Sequence, residues 1–354
     1  MDFKKHKLGE FIDTISETST IKKQQVVLIN TSDVENGKVL NHKYTENKNL
    51  KGQFKKRFRK DDILYSEIRP KNKRFAYVDF DASDYIASTK LMVLRNKGNI
   101  DNTFLYQLLK SNKIINQLQL LAESRSGTFP QITFNELANV EIEIPNIENQ
   151  IKISEILTDI DSKIEINNQT NDNLYELGDA LYKEYYSKYE NELPNGYKYL
   201  DLNEVSVNFD SKRKPMSSRE REQHKGIYPY YGATSIIDYV DDYIFDDTYL
   251  LMGEDGTVKT NEGYPVLQYI WGKSCINNHT HVLQGTIIST EHLMFALRKK
   301  NIETLITGAV QPKINQENMN KIKIIIATDD INIKFEEQIK IIVDKIKLHN
   351  NKKL

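Results

Sequence analysis

The sequence predicts an α+β protein in which two pseudo-symmetric, strand-rich α/β domains are separated by two long antiparallel helices forming a coiled coil. Two observations carry this expectation. Residues 126–145 read SGTFPQITFNELANVEIEIP and residues 307–326 read TGAVQPKINQENMNKIKIII, nearly the same phrase written twice. Each phrase leads into a segment whose apolar residues follow a heptad spacing. A chain of 354 residues is long for a single core, and 39% hydrophobic with 28% charged residues is enough to fill two.

The repeat comes first. With Pro130 set over Pro312, Ile132 meets Ile314, Leu137 meets Met319, and Val140-Glu141-Ile142 meets Ile322-Lys323-Ile324 without a gap. The same offset pairs Ile160, Ile164 and Asn168 with Ile342, Ile346 and Asn350. Further upstream, Tyr85–Leu94 resembles Cys275–Leu283, and helical stretches over Thr103–Leu121 and Glu291–Ile306 precede the two phrases. A period this long marks duplicated domains rather than solenoid repeats. The expected boundaries are a first domain at 1–146, a spacer helix at 147–192, a second domain at 193–328 and a distal helix at 329–354. Gly127 and Pro130, with Gly308 and Pro312, read as the shape of the exit from each domain.

The helices follow. Ile153, Leu157, Ile160, Ile164, Asn167, Asn171, Leu174, Gly178, Leu181 and Tyr185 alternate by four and three, as do Phe335, Ile339, Ile342, Ile346 and His349. That is the a/d seam of a coiled coil, and from spacing alone equally that of a helical bundle. Asn167 and Asn171 break the seam with amides that a misaligned partner would leave unpaired. Asn146 is placed to cap the first helix and Leu193-Pro194-Asn195-Gly196 to stop it, giving roughly 60 Å of helix at 1.5 Å per residue.

Composition excludes several classes. The net charge is −1, and Cys275 is the sole cysteine, so no internal disulfide and no thiolate metal cluster is expected. No apolar run approaches the ~20 residues that span a bilayer, and MDFKKHKLGEF lacks a signal-peptide core. These features point to the cytoplasm. Gly272-Lys273-Ser274 imitates the end of a phosphate-binding loop, but Leu267 stands where its first glycine belongs. His279 and His281 share a face if they lie on a strand, with no third metal ligand evident. No Asn/Asp-Pro-Pro-Tyr/Phe methyltransferase signature is present.

At this point the chain resembles the specificity (S) subunit of type I restriction-modification systems. The likeness rests on Gly127-Thr128-Phe129-Pro130-Gln131-Ile132, on Leu137 and the strand to Pro145, and on Asn149-Gln150-Ile151. It continues through Ile156-Leu157 and Ile160–Glu165, and recurs in Gln311–Asn315, Glu337-Gln338-Ile339 and Tyr230-Tyr231-Gly232-Ala233. The resemblance implies a non-catalytic reader with two target-recognition domains, each reading half of a split site on double-stranded DNA. It implies two methyltransferase (M) subunits that use S-adenosylmethionine on adenine N6, and restriction (R) subunits that use ATP and Mg. No cofactor or metal is expected on this chain. One departure stands out: the distal helix stops at Leu354, which corresponds to Asp172, so the counterpart of LYELGDALY (174–182) is absent.

Within this reading the candidate DNA contacts are cations and aromatics. Between Lys51 and Arg74 they are Lys55, Lys56, Arg57, Arg59, Arg69, Lys71, Lys73 and Arg74, followed by Lys90. In the second half they are Lys212, Arg213, Lys214, Tyr230, Tyr231, His279 and His281. Cations would neutralise phosphates, and an arginine reads guanine O6/N7. Two rival readings stay open: a nucleotide- or metal-dependent DNA enzyme around Glu254, Asp255 and Lys273, and a coiled-coil interaction scaffold.

Overall fold

The structure is a computed structural model that describes residues 2–18, 21–125, 128–308 and 311–351. It divides into two compact units, residues 1–163 and 164–354. Gly127 lies outside the described residues.

In the first unit, β1 (Lys4–Lys7) precedes β2 (Ile12–Thr14), β3 (Gln25–Ile29) and a small ribbon, β4 (Val34–Glu35) with β5 (Lys38–Val39). Six more strands follow: β6 (Tyr44–Glu46), β7 (Phe54–Lys56), β8 (Ile63–Ser66), β9 (Phe75–Tyr77), β10 (Tyr85–Ser88) and β11 (Leu91–Asn96). Then come α1 (Asn102–Leu109), α2 (Asn112–Arg125), α3 (Phe134–Ala138), β12 (Glu141–Ile144) and the long α4 (Ile147–Tyr185). The strands form two four-stranded sheets, ordered β2-β11-β8-β9 and β6-β3-β10-β7, and a pair β1-β12. The helical stretch expected over Thr103–Leu121 is two helices, α1 and α2.

The second unit repeats this plan. Its elements are β13 (Lys198–Asp201), α5 (Leu202–Val205), β14 (Ser206–Asn208), α6 (Ser218–Gln223), β15 (Lys225–Tyr231), β16 (Ile236–Val240), β17 (Phe245–Asp246) and β18 (Tyr249–Gly253). After them come β19 (Leu267–Ile270), β20 (Lys273–Ile276), β21 (Thr280–Gly285), α7 (Thr290–Arg298), α8 (Gln316–Asn320), β22 (Lys323–Ile326) and α9 (Asp329–Asn351). The sheets are β14-β21-β18-β19 and β16-β15-β20-β17, with a pair β13-β22. A parallel strand pairing recurs as well, β3 with β10 and β15 with β20. The helix expected over Glu291–Ile306 ends at Arg298, where Ile302 N turns away to donate to Gly263 O.

Each unit launches its long helix through a buried amide. Gln150 Nε2 donates to Pro145 O at 2.9 Å, and its Oε1 accepts from Asp101 N at 3.0 Å. Asn332, at the same position of the repeat, donates to Ala327 O at 3.0 Å and accepts from Ala327 N at 3.2 Å. Asn146 caps α4 by accepting from Asn149 N at 3.1 Å.

The second half of α4 zips antiparallel against α9. Asn171 Nδ2 donates to Asn350 Oδ1 at 3.1 Å, His349 Nδ1 lies 2.8 Å from Asn171 Oδ1, and Tyr186 OH donates to Asn332 Oδ1 at 3.0 Å. Phe335, Ile339, Ile342 and Ile346 are buried, with Leu174 and Leu181 packed on the same core. The interrupting Asn171 thus sits in register with a polar partner. Asn167 is half-buried. The rest of the predicted seam is not zipped. Leu157, Ile160 and Ile164 are 38%, 50% and 38% exposed, and Ile153 packs on the core of the first unit. The reason is antiparallel geometry: Asn350 already stands against Asn171, so no described turn of α9 is left for the earlier turns of α4.

Gly178 allows α7 close to α4, since a Cβ there would come within 2.2 Å of the Phe295 ring. Beside it Asp179 takes a hydrogen bond from Arg298 Nε at 2.9 Å. His292 is buried against Tyr186 and Phe335, its Nδ1 3.2 Å from Glu336 Oε1 and its Nε2 without a partner among the described residues. Burial pulls its pKa below the ordinary histidine value, and the Glu336 hydrogen bond opposes that only in part.

Two outcomes are expected. Asn171→Ala removes two hydrogen bonds from the seam and should cost about 1–3 kcal/mol in urea unfolding. Because the folded state binds fewer protons at His292 than the unfolded chain, its contribution is intact above the unfolded pKa of about 6.5 and erodes as pH falls below it. The slope should reach at most about 1.4 kcal/mol per pH unit, and His292→Phe should flatten it in melts between pH 5 and 8.

Candidate nucleic-acid interface

The basic segment of the first unit divides by what each cation touches. Lys55, Arg57 and Arg59 are exposed on and just after the edge strand β7, while Phe58 turns into the core. Lys56 is half-buried and donates to Leu91 O at 2.8 Å, and burial lowers its pKa. Arg74 is similarly spent, its Nη1 donating to Thr31 O at 2.8 Å. Arg69, Lys71 and Lys73 are exposed around a tight turn after β8. Lys90 is exposed nearby and donates to Gln131 Oε1 at 3.0 Å, with Glu67 at 3.6 Å. Sequence reasoning did not find the buried fork between Arg95 and Asp62, at 2.7 and 2.8 Å, which ties β11 to the start of β8.

In the second unit three predicted contacts are corrected. Tyr230 is 1% exposed, its hydroxyl donating to Lys214 O and accepting from Met216 N. His281 is also 1% exposed, its Nδ1 2.6 Å from Asp210 and its Nε2 2.9 Å from Ile314 O. Arg213 spends its guanidinium on Glu254 at 2.6 Å and on Thr280 O at 2.8 Å. Tyr230 and His281 are committed inside the domain because a buried polar group must find an internal partner, and the half-buried Arg213 is held by its ion pair with Glu254. Tyr231 is half-buried on a second apolar cluster. Lys212, Lys214 and His279 remain exposed, Lys212 lying over the Phe209 ring and His279 hydrogen-bonded to Asp255.

Asp210, Glu254 and His281 offer ligand atoms within 4.8 Å of one another. Each is already engaged: Glu254 also meets Lys313 at 3.2 Å, and Asp210 accepts from Val282 N at 2.8 Å. Burial pushes the Asp210 and Glu254 carboxyls up, but the His281 and Arg213 bonds outweigh it and hold both below the usual range. The group is a charge network that anchors Ile314, and so the Gly…Pro phrase, to the sheet. Asp255 and Lys273, from the enzyme reading, are likewise taken up, by His279 and by the Tyr243 ring.

The two units keep one scaffold and change its surface. Counting back from the paired strands β8 and β18, Lys55-Lys56-Arg57 correspond to Asp242-Tyr243-Ile244, while buried Phe58 corresponds to buried Phe245. The basic edge of one unit is therefore acidic in the other.

The family description "Type I restriction modification DNA specificity domain" matches residues 1–176 and again 194–354, the two halves of the repeat. The chain belongs to that family. The HindI specificity subunit of Haemophilus influenzae is 44% identical over 191 residues, 53% of this chain and 42% of that protein. A putative type I specificity subunit of the same organism is 33% identical over 124 residues, 35% of this chain and 31% of that one. The alignments thus span less than half of either relative. The type I S subunit from M. genitalium shares the fold at a TM-score of 0.53 and 16% identity, over 99% of this chain and 92% of that one. Against these matches, the specificity domain's duplicated phrase acquires its meaning as the same structural joint made twice.

The network predicts a separable effect. His281→Met, the residue type that Met92 supplies at the equivalent position of the first unit, leaves Asp210 without its ring partner. It should destabilise the second unit by about 3 kcal/mol in chemical unfolding, while leaving the salt slope of DNA binding as it was.

Proposed function

We propose that this chain is a non-catalytic DNA sequence-specificity subunit of a type I restriction-modification complex, reading a bipartite site on double-stranded DNA. The observation that carries the reading is the duplicated scaffold with unlike surfaces: each unit has the same frame for meeting DNA, and differing side chains give each its own half-site. Exposed Lys55, Arg57, Arg59, Lys71 and Lys73 in the first unit, with Lys212, Lys214 and His279 in the second, are the proposed phosphate and base contacts. Two M subunits, carrying S-adenosylmethionine, act on adenines that leave the stack, and R subunits supply ATP- and Mg-dependent cleavage. No helix among the described residues is long and apolar enough to cross a membrane, in keeping with a complex that works on cytoplasmic DNA.

The test is methylome sequencing of a host with and without this chain: a split adenine-methylation motif should vanish on its removal. The purified chain alone should methylate and cut nothing with both cofactors supplied, and activity that tracks it through purification would end the reading. With M subunit present, DNA affinity should fall by decades over a few-fold rise in salt.

A further inference from the structure

The turn after β8 and the turn after β18 are built on one plan. Glu67 N donates to Lys90 O, and Glu254 N to His279 O. Arg69 N donates to Pro130 O at 3.1 Å, and Gly256 N to Pro312 O at 3.0 Å. Arg69 and Gly256 therefore hold the same place in the two copies. That place demands a left-handed backbone, with φ +44° at Arg69 and +77° at Gly256. Glycine adopts it freely, whereas an arginine pays a steric penalty between its Cβ and the backbone. A Cβ at Gly256 would meet nothing within 4 Å, so the constraint is torsional rather than crowding. The second copy shows that the turn closes without any side chain here. The strain in the first copy points to work done by the side chain itself.

That work is small within the domain. Arg69 is exposed, and Nη2 donates to Thr128 O at 3.2 Å, one bond from a group with five N–H donors. Lys71 and Lys73 share the turn, exposed and without a side-chain hydrogen bond or ion pair among the described residues. A planar fork on the same turn as two uncommitted ammonium groups suits a duplex: the ammoniums take phosphates, and the fork matches guanine O6 and N7.

We infer that Arg69 is a specificity-determining residue of the first unit, held toward a base edge in the DNA major groove by a left-handed turn that the second unit closes with Gly256. This rests on the reading of the chain as a DNA specificity subunit. The test introduces Arg69→Gly, Arg69→Asn and Arg69→Lys into the full chain in its host, followed by methylome sequencing and melting of the purified variants. Glycine and asparagine both accept the left-handed backbone, so those variants should melt no more than about 3 °C below the parent. All three should lose the requirement for one base in one half of the motif, or lose methylation of that motif on the order of 10- to 100-fold, with the other half unchanged. An unchanged motif at unchanged extent in Arg69→Gly overturns the inference. So does full activity of Arg69→Lys, which would make the contact a phosphate one, and so does a large loss of stability in both left-handed-tolerant variants. A parent host with no split motif dependent on this chain overturns the underlying reading instead.

Discussion

Two backbone hydrogen bonds, Ile132 N to Glu67 O and Ile314 N to Glu254 O, both 2.9 Å, hold the outgoing segment of each unit against its sheet. Each straps the Gly…Pro phrase to the strand end of its sheet, with Pro130 and Pro312 offering their carbonyls to the next turn residue. Proline has no N–H to leave unsatisfied, so its carbonyl serves the strap at no cost in buried donors. The strap sets where the following short helix, strand and long helix begin. It also brings the phrase beside the turns that carry Arg69, Lys90 and His279, so the same joint that launches the helix supports the candidate contact surface.

The long helices are specified by polar groups inside an apolar seam. Gln150 and Asn332 close the first turn of α4 and α9 onto the preceding strand, and Asn171 meets Asn350 and His349. An apolar seam can slide by a heptad at little loss, whereas a displaced amide forfeits its bonds in a packed environment. Burial of Phe335, Ile339, Ile342 and Ile346 provides the attraction, and Asn171 chooses the register.

The contrast between the units lies in where charge goes. In the first, cations on the β7 edge and the Arg69 turn stay exposed. In the second, Arg213 and His281 are drawn into a network with Asp210 and Glu254, and the β7 counterpart is acidic. Met92 takes the place of His281 in the first unit, so that joint is held by packing where the second uses charge. One backbone plan has been kept while the groups on it were exchanged.

Much of the architecture was readable from order alone. The repeat, its offset across Pro130 and Pro312, the antiparallel helices and the Asn146 cap depend on local pattern and on a duplication that leaves its record in the chain. Which polar residues face outward is set by neighbours that folding brings from elsewhere in the chain. Tyr230, His281 and Arg213 are of the same residue types as the exposed candidates, and only the partners folded around them engage them inside the domain. The heptad spacing of Leu157, Ile160 and Ile164 is likewise indistinguishable from the zipped part of the seam, because spacing records an apolar face but not whether another helix reaches it. The left-handed backbone shared by Arg69 and Gly256 belongs to the same class: a torsion is set by hydrogen bonds to a remote segment, and an arginine there gives no sign of it.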